Sequence, residues 1–161
     1  MFDFLTQATQ QEKEAVQAEF IENVQRAATG FSSAVSQFTC DAQGRGAPYS
    51  AGLDYSVSSL VLLDHIVDTV RAGDITLRPM QTIGISAYIY EVARRHYDGL
   101  YEVCDDDDPV VLVTGEPAFD VCLCAISFIN ARLTGQIDES LPTFFARYEA
   151  AVKARASIII R

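Results

Sequence analysis

The stretch Glu91-Val92-Ala93-Arg94-Arg95-His96 holds one carboxylate, two guanidinium groups and an imidazole within six residues. On a helix, side chains three and four positions apart share a face, so Glu91 can reach Arg94 or Arg95. His96 would then lie near the helix C-terminus, where the last carbonyls favour its protonated form. Facing outward, the group is a surface ion pair. Facing inward, Glu91 and Arg95 are a structural polar pair or the start of an anion site. Nothing else in the chain completes a nucleophile, a base and a group to orient it. His65 follows Asp64 directly, and adjacent helical side chains diverge by about 100°, so the two are not a ready acid–base pair.

The second concentration of chemistry is Asp105-Asp106-Asp107-Asp108, with Asp98 and Glu102 just upstream. Such a run can be a solvated turn, a contact surface for a basic protein or a cation site. A calcium loop spaces its oxygens at alternating positions and includes a glycine to turn, which four consecutive aspartates do not provide. The candidate partner-binding set is therefore Asp98, Glu102, Asp105, Asp106, Asp107 and Asp108, and no metal is expected. The four cysteines are Cys40, Cys104, Cys122 and Cys124. Cys122 and Cys124 form a C-x-C pair within an apolar run and read as two small buried hydrophobes, since a zinc site would need a second ligand pair at finger-like spacing. Free thiols are expected. No phosphate-cradling glycine loop occurs, and no cofactor is expected.

Charge narrows the partners. Among 161 residues, 12 Lys and Arg face 22 Asp and Glu, giving −10, the wrong sign for tracking phosphates. Nucleic acid is thus not expected as a ligand. No run approaches the roughly 20 apolar residues of a membrane span. Met1 to Glu14 lacks the basic and apolar regions of a secretion signal, so a cytoplasmic location is expected.

The elements that must position these groups are read from periodicity. Thr9-Gln10-Gln11-Glu12 has the capping-box pattern, predicting a helix to about Ala28 with Gly30 as its stop. Phe31 to Cys40 is a possible strand, followed by a loop over Asp41 to Pro48. Ser56 can cap a helix bearing Leu60, Leu63, Val67 and Val70, stopped by Gly73. Pro79 starts a third helix that runs to about Tyr97 and carries Glu91, with Gly84 and Ala87 allowing close packing. Leu100–Cys104 and Val110–Thr114 are predicted as a hairpin around the aspartates. Cys122, Ile126, Ile129 and Leu133 have helical spacing, although Val121 to Phe128 could be strand. Ser140 can cap a last helix to about Ala156. The expectation is one domain over 1–161, of α+β class, with about five helices and a small antiparallel sheet or hairpin.

Asp54-Tyr55-Ser56 with Ser59-Leu60 and Leu63-Asp64, then Ala87-Tyr88-Ile89-Tyr90-Glu91-Val92-Ala93-Arg94-Arg95, then Gly99-Leu100-Tyr101 follow a pattern S-x-x-x-L-D, G-A-Y-x-G-E-V-x-R-R, glycine plus aromatic. Over about residues 54–135 the chain resembles small uncharacterised bacterial domains, some encoded beside toxin genes. Ser86 and Tyr90 stand where that pattern has glycine. The resemblance implies an α+β fold and assigns no catalytic residue. Together with the charge, it leads to a non-enzymatic acidic binding protein, an immunity-type inhibitor covering the basic active site of a bacterial toxin. The alternatives are a small enzyme or small-molecule binder using Glu91, Arg94, Arg95 and His96, and a chaperone or adaptor.

Overall fold

Apolar residues of α1 (Phe2–Val35) set the frame, with Ala28, Phe31 and Val35 on one stripe and no side-chain exposure. A computed structural model describes residues 2–39 and 47–161, with side chains from Gln10 onward in the first helix. Cys40 and the expected loop residues 41–46 lie outside the described residues. α2 (Leu60–Arg71) and α3 (Pro79–Tyr97) follow, then β1 (Leu100–Val103), β2 (Val110–Thr114), β3 (Val121–Leu123), α4 (Ala125–Leu133), α5 (Leu141–Ala154) and β4 (Ile158–Ile160). The class is α+β. The strands lie in the order β1-β2-β3-β4, with the first two pairings antiparallel and β3–β4 parallel. A parallel pairing needs a long crossover, which α4 and α5 supply.

Three sequence expectations are corrected. α1 starts upstream of Thr9 and runs through Gly30, because burying Phe31 and Val35 outweighs the roughly 1 kcal/mol cost of a helical glycine. The strand expected after Phe31 is therefore helix as far as Val35, and only Thr39 makes a bridge, to Pro48. Val121–Phe128 is neither wholly strand nor wholly helix: it divides at Cys124 between β3 and α4. The apolar tail Ile158–Ile160 is a strand.

Other signals act as read. The Ser56 hydroxyl accepts the Ser59 N–H at 3.1 Å, closing a 3-10 turn that leads into α2. Ser140 accepts the Thr143 N–H at 3.2 Å at the start of α5. Gly84 lies where α3 crosses α1, and a Cβ there would sit 2.5 Å from the Ala27 carbonyl oxygen. Only glycine permits that approach. One face of the sheet packs Tyr101, Leu112, Leu123 and Ile160 against the helices, while Val111, Val113, Cys122 and Cys124 cluster on the other.

Candidate functional site

The close α1–α3 packing turns the middle of α3 inward, and Glu91 is carried with it to complete burial. A buried carboxylate is tolerated only when its lone pairs are filled. Arg94 donates from Nε and Nη2 to its two oxygens, both at 3.0 Å, in a forked pair. Arg95 Nε adds a bond at 3.1 Å, and the Tyr101 hydroxyl from β1 adds one at 3.2 Å. Bonding to Glu91 holds Arg94 more firmly protonated, while burial, followed by the negative charge of Glu91, pushes the Tyr101 phenol well up.

The cluster extends through aromatic rings. Arg95 lies 3.8 Å from the centre of the Tyr55 ring, and Tyr55 stacks on Tyr88 at 4.6 Å. The Tyr88 hydroxyl accepts the Tyr55 N–H at 2.9 Å and pairs with the Ser59 hydroxyl at 2.7 Å. His96 donates from Nε2 to the Tyr55 carbonyl at 3.1 Å. Tyr55, Ser59 and Tyr88 form one hydrogen-bonded group and Glu91, Arg95 and Tyr101 another, and the Arg95 guanidinium over the Tyr55 ring joins them, linking the 54–59 segment, α3 and β1. Glu91 has no oxygen left for a substrate proton, so its chemistry is structural.

The aspartate run is not uniform. The Asp105 side chain accepts the N–H groups of Asp107 at 3.1 Å and Asp108 at 2.8 Å, and it pairs with Arg161 at 3.2 Å. These backbone bonds, with Arg161, hold its carboxyl below the usual aspartate value. Asp108 is fully buried and accepts the Ser127 N–H at 2.9 Å, capping α4 from across the hairpin. Asp108, expected in the partner-binding set, is corrected: its carboxylate is buried and used by the fold. Asp106 and Asp107 remain exposed, with no side-chain partner among the described residues.

Asp106 and Asp107 line an open groove of about 570 Å³. Its other walls are α4, through Ser127, Phe128, Asn130 and Ala131, and the connection to α5, through Ile137 and Glu139, with Arg161 at one end. Asp106 and Asp107 in a lining that also holds the apolar Phe128, Ala131 and Ile137 suit a lysine or arginine side chain, whose stem is apolar and whose head is charged. Protein families, characterised proteins and solved structures give no match to this chain. Its function is read from this geometry.

The remaining candidates lie elsewhere. Asp98 adopts a positive φ of 58° at the far end of β1, where the Thr114 hydroxyl donates to its carbonyl at 2.9 Å. It is separated from the groove by the length of the strand. Glu102 points to the open face of the sheet beside Glu116 and Asp120, and burial together with Glu116 raises its carboxyl pKa. The residue that sequence reasoning missed is Arg132, buried in α4. It donates to Asp64 at 3.0 Å, to Asp68 at 2.6 Å and to the Glu139 carbonyl at 2.7 Å. The i,i+4 spacing of Asp64 and Asp68 was the available signal for a cation between them. By tying α2 to α4 and to the α5 entrance, Arg132 fixes the groove wall that carries Glu139.

Proposed function

We propose that this chain is an acidic protein-binding domain of immunity type, neutralising a bacterial toxin by covering a basic active site. The observation that carries the reading is the groove lined by Asp106 and Asp107: two free carboxylates on a turn anchored at both ends, by Asp105 to Arg161 and by Asp108 to α4. An anchored turn presents its charges with little ordering cost on binding. The −10 net charge adds long-range attraction toward a lysine- and arginine-rich surface, raising the association rate and selecting basic partners. The saturated Glu91 cluster supports a binding rather than a catalytic role, because it offers no free base.

Co-expression with the product of the adjacent gene tests the reading. The expected outcome is a stable complex and suppression of that product's toxicity, both weakened by joint Asp106→Asn and Asp107→Asn substitution. A toxic product that the chain neither binds nor restrains would refute the toxin assignment. A complex indifferent to the two substitutions would remove the groove from the interface.

A further inference from the structure

The sheet face that bears Val111 and Val113 carries a feature that the binding reading does not use. Cys122 and Cys124 lie two residues apart, where a strand returns side chains to the same face, and their sulfurs are 3.9 Å apart. Cys124 is fully buried at the α4 N-cap position, while Cys122 is partly exposed. The parallel β3–β4 register brings the C-terminal Arg161 alongside: the Cys124 N–H donates to the Ile160 carbonyl at 2.9 Å, and Arg161 is the next residue, its positive charge near enough to lower the Cys124 thiol. Arg161 thus sets a positive charge near the Cys124 thiol while pairing with Asp105 at 3.2 Å. A cation at the thiol favours a sulfur anion and disfavours a bound metal ion, and the described residues include no group of three metal-binding side chains.

We propose that Cys122 and Cys124 are an oxidation site, a dithiol that a peroxide-class oxidant converts reversibly into an intrachain disulfide. The partly exposed Cys122 meets the oxidant and gives up its proton to solvent. The Cys122 thiolate attacks one peroxide oxygen, the O–O bond breaks, and the departing hydroxide takes the proton from Cys124 to leave as water. Cys122 is now a sulfenic acid. The Cys124 thiolate, favoured by the nearby Arg161 charge, attacks the Cys122 sulfur, forming the S–S bond and expelling hydroxide, which is protonated by solvent. In sum, two thiols and one peroxide give one disulfide and two waters. The Cys124 thiol is lowered by its bond from Cys122 and by Arg161, which favours the resolving thiolate, while that bond with burial raises Cys122, so loss of the Cys122 proton is the demanding step. A disulfide closing so small a loop is strained, and strain makes it readily reducible.

The test is peroxide titration of the full chain, followed by alkylation, intact mass and peptide mapping. The expected product has lost two hydrogens, about 2 Da, with the bond mapped to Cys122–Cys124 and the mass restored by a dithiol reductant. Cys104→Ser should leave this product unchanged. Cys122→Ser, at the partly exposed position, should abolish it, and Arg161→Gln should slow closure and let the sulfenic acid accumulate. Thiols that persist at Cys122 and Cys124 while Cys104 oxidises would overturn the proposal. So would a bond from either cysteine to Cys104 or Cys40.

Discussion

Glu91 and the Asp105–Asp108 turn place the same functional group in opposite surroundings. Glu91 is withdrawn from water and paired with two guanidinium groups and a phenol, so its charge is spent within the molecule. In the turn, the first and last carboxylates are spent in the same way, on backbone N–H groups and Arg161, while the middle two stay free. The difference teaches that the density of acidic residues does not mark a binding surface by itself. What marks it is the pair that the fold holds in place but leaves unpaired.

Breaking the buried side of this comparison should have the largest effect. Glu91→Gln removes the charge that compensates Arg94 and Arg95, and losing one member of a buried pair costs about 3 to 5 kcal/mol. Because both arginines keep an edge in solvent, the loss should fall near 3 kcal/mol, measured by urea unfolding. An unchanged midpoint would mean that the cluster does not support the fold.

A smaller effect sharpens the distinction within the turn. Asp108→Ala should cost about 1 to 2 kcal/mol through the lost cap on α4. Asp108→Asn should cost much less, since it keeps the accepting oxygen and replaces the carboxylate oxygen that lacks a partner. Equal losses for the two variants would show that the charge, rather than the hydrogen bond to Ser127, does the capping.

Glu102 should give the smallest effect, visible chiefly as pH dependence. Its carboxyl pKa is raised above the ordinary 4.5 in the folded chain, so the native state holds its proton more tightly than the unfolded one. The resulting penalty is absent below pH 4.5 and develops as pH rises through the raised value. Glu102→Gln should therefore be slightly more stable than the parent at neutral pH and indistinguishable from it in acid. Thermal melts across that range check the sign, and greater stability of the parent at neutral pH would contradict it.

Much of the fold was legible because its signals are local: Ser56, Ser140 and Pro79 start turns and helices, and the hairpin alternates around its aspartates. α1 was misread at both ends because the advantage of carrying Phe31 and Val35 into the core is tertiary, and Gly30 by itself points to a stop. In the candidate site, the i+3 and i+4 spacing announced the Glu91 pairing but not its burial, which depends on the approach of α1 at Gly84. Asp108 could not be told from Asp106 and Asp107 in a run of identical residues. Only the packing of the hairpin against α4 separates them, and Arg132 was hidden for the same reason, its carboxylate partners being more than 60 positions away.

The central claim is that Asp106 and Asp107 are the free charges that meet a basic partner. Its most direct test is the association rate with the adjacent gene's product, measured at low and high salt for the parent and for the joint Asp106→Asn, Asp107→Asn chain. Neither side chain supports the fold, so stability should stay within about 0.5 kcal/mol. At low salt the double variant should associate several-fold, up to about tenfold, more slowly, and the two rates should converge at high salt as screening removes steering. Equal association rates at low salt would contradict the account.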